Sequence, residues 1–370
     1  MASSYTWHPR VDWVDARWPI PQPLMADEIF SSFLVRSALA HGCSPFALAS
    51  AVWPTQRVWT RDIDRGLDQD SLAVLSRLAG LSVSALESST LKAVADSIMR
   101  NSTGRIGTWP WVLVLGCRNR FHAGGLQCCP VCMEQEKPFY QIQWRLAWHT
   151  RCQRHRARLI DCCPNCSVPL QPSLLRPGDS IAQCHACKSK LAFNGPMDVS
   201  AGAAAFQEYV DEMVGLGTWY GPLRLTCSEW LGIAKAMLSL VRSASRMNSH
   251  VLNSFFKEMG VDSSSLEPSP LGLPLEYLPV CERERLLEIV WSIMRAGPGR
   301  FLDAASGVLP PSVLRQFSKD APQLLELITP RTTHRHSAYN RTVPMVGPQK
   351  PQAVLRSWLR LIRKIRRNGL

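Results

Sequence analysis

Apolar residues recur at helical spacing along most of this chain, and Gly, Pro and Ser clusters divide the pattern into blocks. The first clear block is 27–41, where Ile29, Phe30, Phe33, Leu34 and Ala38 share a face. Asp27 and Glu28 fall in its first turn and Gly42 ends it. Residues 70–89 predict helix, tight turn, helix. Leu72, Val74, Leu75 and Leu78 face inward, Gly80 makes the turn, and Ser84-x-x-Glu87 forms a capping box for the second helix. That second helix, Ser84 to Ser89, carries almost no basic side chains. Protein contact or plain core is therefore favoured over reading of base edges. Phe139 to Thr150 predicts a helix with Trp144 and Trp148 stacked at i and i+4, a core stripe. After 196, helical patterns cover 203–215, a run opened by Thr226-x-x-Glu229 towards Arg246, 249–259, 282–296 and 311–328. Pro/Gly/Ser clusters at 260–274 and 297–311 separate them. Residues 1–26 read as an extended arm whose Trp7, Trp13 and Trp18 tuck against the body.

Residues 330–352 read as a linker. Beyond it, 353–367 is amphipathic: Val354, Leu355, Trp358, Leu359, Ile362 and Ile365 share one face. Arg356, Arg360, Arg363, Lys364 and Arg367 share another and are candidate nucleic-acid contacts. The net charge of +13 is segmental. Residues 1–108 hold 10 basic and 10 acidic residues, 109–195 hold 11 and 4, 196–329 hold 11 and 15, and 330–370 hold 10 and none. The positive charge thus belongs to the middle and the tail, and it favours phosphate backbones there. No apolar run is long enough to cross a membrane, and the start shows no secretory pattern, so a reducing cytoplasm is expected.

The middle of the chain supplies the chemistry. Cys129-Pro130-Val131-Cys132 and Cys152-x-x-His155 form one set of paired ligands. Cys163-Pro164-Asn165-Cys166 and Cys184-x-x-Cys187 form a second. The pairs are separated by 19 and 17 residues. This spacing predicts two structural zinc sites, one ion each, in tandem ribbon or knuckle motifs. Cys128 and Cys162 make the register ambiguous; the Cys-Pro-x-Cys register is preferred because it gives one motif twice. A disulfide framework does not suit an odd count of 13 cysteines in a 370-residue chain. Cys43, Cys117, Cys227 and Cys281 lie in apolar surroundings and read as buried small hydrophobes. The expected fold is mainly α: a helical N-terminal domain with a helix-turn-helix-like segment (1–108), a tandem zinc segment (109–195), a helical C-terminal domain (196–329), and a linker with a basic tail helix (330–370).

No catalytic set converges. A P-loop and a His-Glu-x-x-His motif are both missing, and each predicted zinc site is filled by strong ligands. His149 lies near the first site, but His155 is already a ligand, which weakens a nuclease of the His-Asn-His kind. Arg335, His336, Tyr339 and Arg341 are the residue types of a tyrosine recombinase, drawn there from widely separated segments rather than one cluster. A non-enzyme is expected.

The order of these motifs resembles the TniQ/TnsD family of transposition target-selection proteins. Pro23 precedes Asp27-Glu28-Ile29-Phe30-Ser31-Ser32-Phe33-Leu34-Val35-Arg36, similar to that family's N-terminal signature, with Phe33 for its tryptophan and Ile29-Phe30 for its Ser-Leu. Arg77-Leu78-Ala79-Gly80-Leu81-Ser82, Trp144-Arg145-Leu146, Cys152-x-x-His155, Leu159 and Cys163-Pro164-x-Cys166 follow in the family's order. The resemblance spans about 20–190. It implies a non-catalytic adaptor between a target-site reader and an AAA+ regulator that recruits the transposase, with Glu28 and Arg36 on the partner-contacting helix. In one branch the reader is a CRISPR RNA-guided effector of the Cascade type, and homodimers occur there; other members read DNA directly. A zinc-ribbon protein that binds DNA alone, as target reader or transcriptional regulator, is the alternative.

Overall fold

The computed structural model describes residues 17–99, 109–115, 126–192, 199–247, 250–261 and 273–305. The chain divides into two units at Ile328/Thr329, and every described residue lies in the first. The expected helix at 311–328, Trp7, Trp13, Cys117 and the five basic tail residues lie outside the described residues.

The N-terminal helices are α1 (Phe30–Ala40), α2 (Pro45–Val52), α3 (Gln69–Ala79), α4 (Val83–Ser88) and α5 (Lys92–Ile98). Local chemistry starts and stops them. Ser44, Asp68 and Ser82 accept from Ala47 N, Ser71 N and Ala85 N as N-caps. Gly80 ends α3 in the left-handed region. The cap of α4 is therefore Ser82, two residues before the predicted box. Ser84 sits inside the helix, and Glu87 bonds Gln69 and Lys92 instead. Asp27 and Glu28 precede α1 rather than filling its first turn, because Ile29 is its extended N-cap. Phe30, Phe33 and Leu34 pack with Leu48, Val52, Leu72, Leu75 and Leu86 in an N-terminal core. Ile29 and Val35 leave the same helix for a second, larger core. Trp18 lies on Phe33 and His41, so the described end of the arm is packed.

The middle segment is largely irregular. It contains the short α6 (Pro130–Met133) and antiparallel bridges but no strand among the described residues. The helix expected over Phe139 to Thr150 is not formed: only a 3-10 turn, Ile142–Arg145, is present. Here tertiary pairing overrides periodicity. Leu113 N donates to Arg145 O and Ala147 N to Trp111 O, which draws 145–147 out along 111–113. Trp144 and Trp148 are nevertheless fully buried.

The C-terminal part contains α7 (Ala201–Met213), β1 (Thr218–Tyr220), β2 (Leu223–Leu225), α8 (Cys227–Met247), α9 (His250–Glu258) and α10 (Val280–Ala305). Thr226 and Glu229 form the predicted box reciprocally: Thr226 N donates to Glu229 Oε2 at 3.0 Å and Glu229 N to Thr226 Oγ1 at 3.3 Å. As expected, helical geometry stops at 296; what the cluster at 297–311 did not suggest is that a second helical stretch starts at once, within the same α10 span. Gly297 (φ 83°) leaves helical geometry and divides α10 at a kink, and Pro298 opens the second stretch, which runs to Ala305. Phe206, on α7, contacts Trp111 of the middle segment and Trp230 and Trp291 of α8 and α10, so the large core runs through both parts. Among the described residues no helix is long and apolar enough to cross a membrane.

Candidate metal centres

Three of the four ligand pairs are built on one backbone device. Cys152, Cys163 and Cys184 each accept, through their carbonyl, the N–H of the residue four positions on: Arg156, Ser167 and Lys188, at 2.8, 2.9 and 3.0 Å. Each also donates its own N–H to the residue five positions on: Ala157, Val168 and Ser189, at 2.8, 2.9 and 2.9 Å. An antiparallel bridge closes each loop at Arg151 with Arg158, Cys162 with Pro169 and Gln183 with Lys190. The fourth residue is left-handed in all three, with φ of 53°, 57° and 62°. For a non-glycine residue this costs about 1 kcal/mol or more, so the knuckle holds its ligands against local strain. The fourth pair differs: Cys129 precedes α6, Pro130 opens it and Cys132 lies within it.

The two tetrads converge. Cys129, Cys132, Cys152 and His155 form one cluster and Cys163, Cys166, Cys184 and Cys187 the other, with all ligand atoms of a cluster within 4.8 Å. Cys132 Sγ lies 3.8 Å from Cys152 Sγ, and His155 Nδ1 lies 3.4 and 3.2 Å from the sulfurs of Cys129 and Cys132. In the second cluster Cys163–Cys187 and Cys166–Cys184 are both 3.6 Å apart. A tetrahedron with zinc–sulfur bonds of about 2.3 Å has sulfur–sulfur edges of roughly 3.8 Å. The spacing therefore fits an ion at each centre. Cys128 is buried and Cys162 half-buried, both outside the clusters, which resolves the register. Of the remaining cysteines, Cys227 is buried and Cys43 half-buried, but Cys281 is exposed on the first turn of α10, contrary to expectation.

The first cluster is electrostatically uneven. Hydrogen bonds from Cys129 and Cys132 hold the Cys152 thiol low, to about 2, while contact with Cys129 and Cys152 pushes Cys132 well up. Three thiolates cannot share so small a volume without a cation. In the second cluster, hydrogen bonds from Ser189 and Asn165 bring Cys187 down to about 5. Such N–H and O–H donors to sulfur stabilise metal-bound thiolate.

The supports of the first knuckle were not legible in the sequence. Gln207 of α7 accepts from Thr150 N and Arg151 N and donates to Arg151 O. Asp211 accepts from Trp148 Nε1 and Gln153 Nε2 and bonds His149 Nε2 at 2.9 Å, so His149 is a support, not a ligand. Arg283 of α10 is fully buried. It donates to Gln127 Oε1 at 2.6 Å, Ala147 O at 2.7 Å, His149 O at 3.3 Å and Leu278 O at 3.1 Å. No period or motif marks these residues.

Several cations of this segment are engaged in pairs: Arg151 with Glu208, Arg158 with Glu284 and Lys188 with Asp179. Arg154 and Arg156 are exposed on the first knuckle. Glu28 and Arg36 meet each other: Arg36 Nε and Nη2 donate to the Glu28 carboxylate at 2.8 and 2.7 Å, and Nη2 also to Pro23 O. Glu28 is 1% exposed and also accepts from Ser32 Oγ and Met25 N. The pair clamps 23–28 onto α1, and only the edge of Arg36 is left at the surface.

A search of the curated proteins found no match. Residues 19–159 match the TniQ family model, a span that runs from the packed arm through the N-terminal helices to the first metal cluster. That family is associated with transposition and target selection. Over residues 19–159 the chain is thus similar to the TniQ family.

Proposed function

We propose that this chain is a non-catalytic target-selection adaptor of a transposon, linking a target-site reader to an AAA+ regulator that recruits the transposase. The TniQ match over 19–159 carries this reading. Two zinc ions stiffen the centre as structural ions, and the strand chemistry belongs to the partner transposase. The Cascade-type RNA-guided effector is preferred as reader over direct DNA recognition because of α4. It has six residues and no cation, and Glu87 is held by Gln69 and Lys92. A helix that reads a major groove needs arginine, lysine or asparagine facing base edges. Exposed Arg154 and Arg156 suit contact with a nucleic-acid backbone already chosen by others.

The test is copurification of the tagged chain, expressed in its own host, with an AAA+ protein and with an RNA-guided complex. Retention of both is expected. Retention of neither, together with sequence-specific binding of purified chain to duplex DNA and a steep salt slope, would replace the adaptor with a direct reader.

A further inference from the structure

A cavity of about 480 Å³ opens beside α8, between that helix and the chain segments 110–111 and 274–276. Its walls are firm. Trp111 is left-handed, at φ 63°, a conformation that costs a residue with a Cβ about 1 kcal/mol or more. It is held there: its N–H donates to Glu276 Oε1 at 2.9 Å, and its indole stacks on Phe206 in the core. Glu276 O in turn accepts from Val114 N at 3.3 Å. Pro274 caps the 3-10 turn Leu275–Tyr277 that carries Glu276. Fixed backbone, not loose side chains, encloses this side of the space.

The chemistry comes from α8. Lys235, Leu238, Ser239, Arg242 and Ser243 line the cavity at i, i+3, i+4, i+7 and i+8, one face of the helix. Between Trp230 and Ser243 the helix carries two charged residues, Lys235 and Arg242, and both are on this face. Two turns separate them, about 10 Å along the axis, so their long side chains can close on one group between them. The residues on that path are small. Ser239 and Ser243 fold their hydroxyls back onto Lys235 O and Ser239 O, at 3.0 and 2.8 Å, and leave the space open. The Lys235 ammonium makes no ion pair among the described residues. The one carboxylate among the described lining residues, Glu276, is buried and already accepts from Trp111 N.

These features select the ligand. Two cations against one engaged carboxylate call for a group with more than one negative charge, which a phosphate monoester carries and a single carboxylate does not. The volume lies in the range of small-molecule sites and exceeds the room a bare phosphate needs. Pro110, Leu238, Pro274 and Leu275 offer apolar wall to the rest of the molecule. A nucleic-acid strand is disfavoured, since a polymer backbone needs a row of cations across an open surface, not two in one recess. We propose that this cavity binds a small phosphate monoester of about the size of a nucleoside monophosphate, with its phosphate between Lys235 and Arg242. The proposal goes beyond the adaptor reading and does not depend on it.

The test is isothermal titration calorimetry on the full chain with adenosine monophosphate as probe. Binding is expected, with adenosine at least about tenfold weaker through loss of the charge-assisted hydrogen bonds. Lys235→Met keeps the stem and removes the charge. It should weaken the monophosphate at least about tenfold and leave the melting temperature unchanged, because the ammonium has no ionic partner to lose. Ser239→Leu should fill the cavity and abolish binding. No binding of the monophosphate, adenosine as tight as its phosphate, or both variants binding like the wild type would overturn the proposal. So would displacement of the monophosphate by an oligonucleotide without terminal phosphates, which would make the recess part of a strand-binding surface.

Discussion

Cys163→Ser is expected to unfold the described core, not merely to lower an activity. Cys163 is fully buried, and its knuckle joins the large core through Leu159, Leu170 and Cys184. Serine offers a poor ligand in place of thiolate and leaves three thiols crowded around a weakened site. Structural zinc contributes roughly 10–16 kcal/mol in small zinc-dependent peptides, whereas a whole domain is stable by only about 5–15 kcal/mol. Elemental analysis of the wild type should give about two zinc ions per chain. The variant should give about one and lose its near-ultraviolet circular dichroism, and chelation of the wild type should do the same. A wild type with fewer ions, or a variant that melts cooperatively at the original temperature, would remove the structural-zinc reading.

The second large effect is expected at Arg145. Its guanidinium is wholly buried, and it donates to Asp62 at 2.7 and 3.1 Å, to Asp64 at 2.6 Å and to Leu113 O at 2.8 Å. Asp64 in turn accepts from the N–H and hydroxyl of Ser31 on α1, at 2.7 and 3.0 Å. One cation therefore joins the middle segment to the N-terminal helices. Burial pushes the Asp64 carboxyl up to about 6, against the pull of Arg145. Arg145→Ala leaves that carboxylate uncompensated and should cost about 3–5 kcal/mol, the usual penalty for breaking a buried pair from one side. The sign of its pH dependence follows. With Arg145 present, the folded state already holds the Asp64 proton more tightly than the unfolded chain, so this group's contribution is greatest in acid and falls as pH rises through about 6; without Arg145, whose charge lowers it, the fall extends to higher pH. Urea titration at two pH values reads this directly. Asp64→Asn in the Arg145→Ala background should recover part of the loss; no recovery would mean that lost packing, not the stranded charge, is responsible.

The ligand pairs were legible because a metal site needs particular atoms at short spacing, and that constraint survives in one dimension. The Cys-Pro-x-Cys repeat also chose Cys129 and Cys163 over their neighbours. The helices α1, α3 and α8 were legible from period and caps. Elements decided at long range were not. Trp144 and Trp148 carry a helical spacing, yet Trp144 sits in a 3-10 turn and Trp148 in the next turn, since Trp111 and Leu113 claim the intervening backbone groups. Gly297-Pro298 looked like a break because either residue alone disfavours helix. It is one, at Gly297, but the helix resumes at once from Pro298, and that kink seats the β1–β2 hairpin. Ser82 and Ser84 are chemically equal as caps, and the turn after Gly80 selects between them. Glu28 and Arg36 drew attention as a motif, but their spacing of eight gave no sign that they would bond each other.

Arg283 sets a limit on the order of synthesis. Its donors reach back to residues 127, 147 and 149, and Glu284 beside it accepts from Arg158 and Ser200. A growing chain presents those acceptors on the ribosome well before α10 emerges, and until then only water can satisfy them. The TniQ match ends at 159, but the physical unit that contains it closes some 120 residues later. A fragment cut at 159 or 195 would keep the first ligand set and lose the clasp on it. Whatever this domain does, it begins doing so only when nearly the whole described chain has been made.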